Sequence, residues 1–336
     1  MKDLAAINEL VSSIPKDAVI TTHANPDADA LGSSLGLSMY LQKKGHSVTV
    51  IVPNEYPDFL KWMPQNESVL TYTKEDAETV RKAVEKAEVI FSVDYSELGR
   101  IKEVGTYVSE SSALKVVIDH HLNPSDFGDY YFHSTEAAAA AQLVHELILA
   151  CGDGDLIDHQ MASCLYAGIM TDTGSFKHSN TTAEVHTAVA DLIHRGADPG
   201  AISRAVYDNN SLHRMKFLGY ALSDLLEVDL DHGVGLFAIS MADAERFQLE
   251  KGDTEGLVNY ALSIRGMRVA ALFKESDGEI KMSFRSVGDI AVNKFAENYF
   301  NGGGHKNAAG GASEESLEKT VEKFKKLVNE DVLTKL

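Results

Sequence analysis

The segment "THANPDADALGSSLGL" places His23, Asp27 and Asp29 within seven residues, with Pro26 stiffening the turn that carries them. An imidazole and two carboxylates this close together are hard or borderline metal ligands, and the alternate positions of Asp27 and Asp29 can address neighbouring coordination sites. A helix beginning near Ala30 would also offer free backbone N–H groups to an anion. The same stretch reads equally as an Asn/Asp-rich turn in which Asp29 caps the helix. Partners elsewhere in the chain have to decide between these readings.

Three further segments supply such partners. In "FSVDYS" an apolar run ends at Asp94, with no obvious basic partner beside it. In "VVIDHHLNP" another apolar run leads into Asp119, His120 and His121, a cluster costly to desolvate unless a metal or phosphate uses it. In "YAGIMTDTGSFKHSN" Asp172 follows an apolar helix and opens a polar turn. Singly, Asp94 reads as a cap and Asp172 as a helix-end carboxylate. Together the segments offer an oxygen-rich donor set with a minority of imidazoles, which suits manganese or magnesium better than a closed structural zinc site. If one carboxylate bridges two divalent cations roughly 3.5–4 Å apart, the pair can activate a water and clamp a phosphoryl group for in-line displacement. Hydrolysis of a phosphate ester is the chemistry this set points to.

These side chains need elements to position them. "AVITTH", "SVTVIVP", "EVIFSVDYS" and "KVVIDHH" read as strands, with helical patterns between them. That alternation predicts a parallel sheet covered by helices, in which ligand groups gather at the carboxyl ends of strands. His23, Asp94 and Asp119 to His121 all fall at such ends. From "STEAAAAAQLVHELILACG" to about Leu226 the pattern is helical, interrupted by "TDTGSFKHSNTT". A second alternating region follows, "GVGLFAIS" and "RVAALFKESDGEIKMSFRS", whose Ser-Asp-Gly step reads as a hairpin turn. The expected fold is α/β: an N-terminal parallel-sheet domain over residues 1–205, a helical linker over 206–229 and a smaller α/β domain over 230–336. "EESLEKTVEKFKKLVNEDV" reads as an amphipathic closing helix with a solvated charged face.

Composition bounds the partners. The 336 residues carry 31 Lys plus Arg against 50 Asp plus Glu, a formal charge of −19. That balance argues against a broad grip on long nucleic acid, although bound divalent cations can supply local positive charge for a short anionic ligand. Cys151 and Cys164 form no metal-binding or disulfide pattern and read as free thiols. The N-terminal stretch lacks the continuous apolar core of a signal peptide, and no apolar run reaches the length of a membrane span. A cytoplasmic enzyme or binding protein with no membrane partner is expected.

At this point the motifs resemble those of the DHH phosphoesterase family, named for the tripeptide present here as Asp119-His120-His121. "HANPDADALGS", "VDYS", "IDHHLNP" and "TDTGSF" are similar to that family's four metal motifs in order. "GGGHKNAAGG" resembles the glycine-rich motif of its associated C-terminal domain. The resemblance runs from His23 to Gly311. It implies two divalent cations, with Mn²⁺ ahead of Mg²⁺ or Co²⁺. His23 and Asp27 would bind the first, Asp29, His120 and Asp172 the second, and Asp94 would bridge. His121 would face the phosphate and Asp119 would orient its histidine neighbours. The branch it resembles degrades nano-RNA and removes phosphate from 3′-phosphoadenosine 5′-phosphate.

For the second domain, glycines Gly302, Gly303 and Gly304 would let backbone N–H groups approach a phosphate, and a following helix start would add its dipole. His305, Arg285 and Ser283 could contact the same ligand. Together the domains would act as a length ruler for short RNA or small phosphorylated nucleotides and exclude long duplexes. A homodimer is a further expectation. The remaining histidines lack a complementary ligand set, and His178 and Asn180 read as parts of a solvated loop. Two other functions compete: a soluble phosphodiesterase acting on cyclic di-AMP or its linear product pApA, and a non-catalytic nucleotide sensor. A family II inorganic pyrophosphatase is disfavoured by the glycine-rich ending.

Overall fold

The computed structural model describes residues 3–250, 252–276 and 278–335. By packing, the chain forms two units, Met1–Asn209 and Asn210–Leu336. In the first unit the strands are β1 (Asp17–Thr21), β2 (Ser47–Val52), β3 (Leu70–Thr71), β4 (Val89–Val93), β5 (Leu114–Asp119) and β6 (Tyr130–His133). They pair in the order β3-β2-β1-β4-β5-β6, and every pairing is parallel. Runs such as Val89–Val93 are buried on both faces, which is why they are continuously apolar instead of alternating. The strand order reverses between β1 and β4, the crevice where open parallel sheets place their ligands. His23 follows β1 and Asp94 follows β4, so two of the sequence motifs meet at that crevice.

The helices of this unit are α1 (Leu4–Val11), α2 (Ala28–Lys43), α3 (Ala77–Lys86), α4 (Val104–Glu110), α5 (Ala140–Ala150), α6 (His159–Asp172), α7 (Ala183–His194) and α8 (Pro199–Tyr207). Helix α2 is buried continuously from Ala28 to Leu41, and its small residues explain how it is enclosed. A Cβ on Gly32 would strike the carbonyl oxygen of Cys164 in α6, so the two helices touch backbone to backbone. The buried hydroxyls of Ser33 and Ser34 donate to the carbonyls of Asp29 and Ala30 within the same helix.

Two boundaries differ from the pattern reading, for identifiable reasons. Helix α2 starts at Ala28, because Asp27 Oδ1 accepts from the N–H groups of Asp29 and Ala30. Those two donors are therefore taken by the chain itself and are not open to an anion as expected. The polyalanine stretch enters its helix only at Ala140, since Ala139 is extended.

In the second unit the strands are β7 (Leu226–Asp229), β8 (Val234–Ile239), β9 (Val269–Ser276), β10 (Glu279–Ser286), β11 (Gly303–His305) and β12 (Ala308–Ser313), ordered β11-β12-β10-β9-β8-β7. Only β8 and β9 pair in parallel; the rest are antiparallel. The helices are α9 (Leu212–Tyr220), α10 (Met241–Arg246), α11 (Leu257–Leu262), α12 (Val292–Tyr299), α13 (Leu317–Asn329) and α14 (Val332–Lys335). Phe217 of α9 packs with Phe237, Ile239 and Leu257, so the segment read as a linker contributes to this unit's core. Strands β9 and β10 pair from Ser276 and Glu279 onward, while Asp277 of the Ser-Asp-Gly step lies outside the described residues. The glycine-rich motif is the hairpin of β11 and β12, and no helix begins directly after it. The dipole contribution expected there is absent, because alternating small residues pair with β10 instead.

Close approach at Gly32 carries a prediction. Gly32→Ala forces α2 and α6 apart and should lower unfolding free energy by about 1–3 kcal/mol, the usual cost of overpacking. Urea unfolding midpoints read this directly, and an unchanged midpoint would refute the backbone contact.

Candidate metal centre

The sequence-predicted ligands of the first unit come together around Asp94. Its backbone is left-handed (φ 64°) at the end of β4, an uncommon conformation that aspartate tolerates. The Asp94 N–H donates to the Ile118 carbonyl at 3.0 Å. Next to it Tyr95 is fully buried, its hydroxyl 2.6 Å from Ser92 Oγ and 2.7 Å from Thr21 Oγ1, and its ring stacks on Phe127. These contacts pin the turn to β1 and β4 and aim the Asp94 carboxylate into the crevice.

Each Asp94 oxygen meets a different histidine. Oδ2 lies 3.3 Å from His23 Nε2, and Oδ1 lies 3.3 Å from His120 Nε2. His23 Nδ1 faces the Ala24 carbonyl at 3.0 Å, and His120 Nδ1 faces the Ala137 carbonyl at 3.3 Å. A ring nitrogen against a carbonyl must be the N–H donor, so Nδ1 keeps its proton in both rings and Nε2 is the nitrogen that faces Asp94 and would give up its proton to a cation. Around this axis Asp27 Oδ1 lies 3.9 Å from His23 Nε2. Asp172 Oδ2 and Asp29 Oδ2 lie 3.6 and 4.0 Å from His120 Nε2. The ligand atoms of His23, Asp27 and Asp94 fall within 4.8 Å of one another, as do those of Asp29, His120 and Asp172 and those of Asp94, His120 and His121.

Asp119 is wholly buried, with Oδ1 2.7 Å from His121 Nδ1. Its contact is to His121, while His120 Nδ1 faces the Ala137 carbonyl. Asp29, also wholly buried, accepts from the N–H groups of Ala140 (2.6 Å) and Ala141 (2.8 Å), and so caps α5 from a distance. The alanine-rich segment 137–141 thus holds two predicted ligands through its backbone. Sequence reading gave it no role, since backbone groups leave no residue-type signal.

The donor set fits divalent cations. Asp94 Oδ1 is buried without a hydrogen bond among the described residues, as is Asp119 Oδ2. Neighbouring ligands on an octahedron with bonds of about 2.1 Å stand about 3.0 Å apart, and the 3.3 Å separations here are a few tenths wider. Electrostatics agree. Burial pushes the Asp94 carboxyl up, but the two imidazoles outweigh it and hold the group well below the usual range. Burial opposes charge on His23 and His120 as well, yet Asp94 and its acidic neighbours raise them to about 9 and about 10. Burial, reinforced by neighbouring carboxylates, pushes Asp29 and Asp172 well above their ordinary values. Without a cation the cluster retains protons to relieve its own charge.

In the second unit, strand register gathers the other predicted residues. Ser283 opposes Gly310, which opposes Gly303, while Arg285 opposes Ala308, which opposes His305. Directly opposed residues share a face, so Ser283, Arg285, Gly303 and His305 line one side of three strands. Phe284 points into the core on the other side. The glycines divide by role. A Cβ on Gly302 would strike the Gly310 carbonyl and one on Gly304 would lie 2.6 Å from the Ala308 carbonyl, so these two permit backbone packing. Gly303 alone has no atom closer than 3.9 Å to such a Cβ, leaving its face open. Arg285 donates to the Phe284 carbonyl at 3.0 Å, and burial alone lowers its pKa.

A parallel sheet with a carboxylate and imidazole centre at its switch point, followed by a mixed-sheet unit with a glycine hairpin, defines a class. Residues 17–169 match the DHH family, N-terminal domain, and residues 235–332 match the DHHA1 domain. The chain belongs to the DHH family. It is 28% identical over 312 residues to the probable bifunctional oligoribonuclease and PAP phosphatase NrnA of Streptococcus mutans, covering 93% of this chain and 94% of that protein. To the bifunctional oligoribonuclease and PAP phosphatase NrnA of Bacillus subtilis it is 29% identical over 297 residues, 87% and 88% of the two chains. The crystal structure of an exopolyphosphatase-related protein from Bacteroides fragilis superposes with a TM-score of 0.93 at 36% identity, covering 97% of this chain and 95% of that one. The cyclic-di-AMP phosphodiesterase GdpP of Geobacillus thermodenitrificans is more distant, 24% identical over 97% of this chain and 49% of that protein. Among the described residues no helix is long and apolar enough to cross a membrane.

Proton retention predicts how cations bind. His23 and His120 are protonated below about 9 and 10 in the metal-free centre, so a cation must displace those protons and its affinity must rise with pH across 6.5 to 8. Calorimetric titration of Mn²⁺ in buffers of different ionisation enthalpy should show proton release. A pH-independent affinity would contradict the electrostatic description.

Proposed function

We propose that this protein is a two-cation phosphoesterase that hydrolyses short oligoribonucleotides to mononucleotides and 3′-phosphoadenosine 5′-phosphate to AMP. The observation that carries this reading is the Asp94 carboxylate with its two oxygens each 3.3 Å from a different imidazole nitrogen, the disposition of a bridging ligand. His23 and Asp27 would complete the first cation's protein ligands, and Asp29, His120 and Asp172 the second's. Mn²⁺ is the favoured ion, with Mg²⁺ and Co²⁺ as alternatives. When bound, such a pair supplies an activated water and charge neutralisation at phosphorus.

The chain's own groups account for the rest. Asp119 fixes His121 by its Nδ1–H, and with the ring as imidazolium its Nε2–H would donate to a phosphoryl oxygen or pass its proton to the leaving oxygen. In the second unit Arg285 offers a half-buried guanidinium whose Nη1 donates to the Phe284 carbonyl, with no ion pair among the described residues, suited to bidentate contact with phosphate or base. Ser283, His305 and the open face of Gly303 lie on the same side of the sheet. A formal charge of −19 disfavours extended contacts along a polyanion, so short substrates follow. The names of the relatives at 28% and 29% identity support the same substrate class. Cytoplasmic location and a homodimer belong to this proposal.

The test is a substrate panel with Mn²⁺: an RNA dinucleotide, 3′-phosphoadenosine 5′-phosphate, linear and cyclic di-AMP, and inorganic polyphosphate. Turnover of the first two is expected to dominate. Better turnover of the cyclic molecule would move the assignment toward the cyclic dinucleotide phosphodiesterases, and binding without any hydrolysis would make the protein a nucleotide sensor. Asp94→Asn should lower kcat on the order of a thousandfold or more. By contrast Arg285→Ala should raise KM with little change in kcat, the signature of lost ground-state binding. A kcat defect in Arg285→Ala would place that side chain at the reacting phosphate instead.

A further inference from the structure

Helix α6 delivers Asp172 at its last turn, and the way that helix stops determines where the carboxylate stands. The Ser175 N–H donates to the Met170 carbonyl at 2.8 Å and the Gly174 N–H to the Thr171 carbonyl at 2.9 Å, with Gly174 left-handed at φ 56°. This is a Schellman ending. The left-handed run continues through Ser175 (φ 59°) and Phe176 (φ 64°), which is costly for residues with side chains. Contacts hold it. The Phe176 N–H donates to Thr173 Oγ1, and the Phe176 ring packs edge-on to Tyr166 and against His186. The Lys177 and His178 N–H groups both donate to the Thr173 carbonyl.

The tight return leaves one helix-end carbonyl, that of Asp172 itself, and brings Asn180 back to it. Asn180 Nδ2 donates to the Asp172 carbonyl at 3.1 Å and reaches the Ala138 carbonyl at 3.4 Å. Asn180 Oδ1 is buried with no hydrogen bond among the described residues, so the amide is held through its NH₂ group. Asn180 is therefore half-buried and engaged, not part of a solvated loop, whereas His178 is exposed. Ala138 lies in the segment whose Ala137 carbonyl orients His120 and whose Ala140 and Ala141 N–H groups hold Asp29. One side chain thus ties Asp172 to the backbone that sets its two companions.

We infer that Asn180 is a positioning residue for the Asp29, His120 and Asp172 group, setting the affinity of the second divalent cation without touching it. This rests on the two-cation reading above. A residue that orients ligands from behind typically changes metal affinity by about 10–100-fold when removed. The effect should be confined to one of two binding events, because His23 and Asp27 share no hydrogen bond with Asn180.

The test is Mn²⁺ titration of the full chain by calorimetry and by electron paramagnetic resonance, which detects spin coupling between paired ions. Asn180→Asp keeps the shape but turns an oxygen toward two carbonyls, and Asn180→Ala removes the group. Both should retain one Mn²⁺ at wild-type affinity and bind the other about 10–100-fold more weakly, with loss of the coupled signal at limiting metal. Thr181→Val, which alters a neighbouring buried hydroxyl with no hydrogen-bond partner among the described residues, should titrate as wild type. Two ions at unchanged affinity in both Asn180 variants would overturn the inference, as would equal weakening of both sites or an equal effect in Thr181→Val. Wild-type protein that binds one ion or none would instead overturn the paired-cation reading and this inference with it.

Discussion

The centre depends on one expensive arrangement, a buried carboxylate shared between two imidazoles. Asp94 has to be ionised to serve both His23 and His120, yet its surroundings exclude the water that would otherwise solvate it. Much of the first unit can be understood as the structure needed to hold that group still. The reversal of strand order places β1 and β4 side by side, and the left-handed turn at Asp94 points the carboxylate outward from the sheet. Tyr95 then locks the turn by placing its hydroxyl between Thr21 and Ser92. Each backbone carbonyl that faces a histidine Nδ1 turns the opposite nitrogen, Nε2, toward Asp94.

A chain of charge −19 that handles anionic ligands needs its positive charge to be local. In the second unit the proposed source is Arg285, on a sheet face shared with Ser283, Gly310, Ala308, Gly303 and His305. The two packing glycines, Gly302 and Gly304, let β11 approach β12 closely enough for that face to be continuous.

The parallel sheet and the clustering of the ligands were legible in the sequence because both have residue-type signals. Doubly buried strands are apolar throughout, and ligands at strand ends interrupt them abruptly, as at Asp94 and Asp119. Less legible were features made by backbone groups. That Asp29 would cap α5, more than a hundred positions away, has no local signature, and a run of alanines looks like helix until a tertiary contact fixes where the helix starts. The glycine-rich motif was read by its composition as a ligand cradle leading into a helix. Register makes it a hairpin, since glycines that admit close backbone approach serve a strand pair as readily as a phosphate. Asn180 was undervalued for a related reason: a polar residue in a polar loop gives no hint that the loop doubles back.

Helix ends also set the carboxylates of the centre apart from one another. Asp27 caps α2 and Asp29 caps α5, so two helix N-termini place partial positive charge against two of the carboxylates. Such placement is worth about 0.3–1 kcal/mol each and up to about 2 when partly buried. Asp172 has the opposite situation. It sits in the last turn of α6, where the dipole is negative, and burial reinforced by neighbouring carboxylates drives its pKa up. A carboxylate left at the unfavourable end of a helix is destabilised as an anion and correspondingly stabilised by any cation that arrives. The demand for a second positive charge is therefore built into where α6 ends, and the strained turn after it is what keeps that end in place.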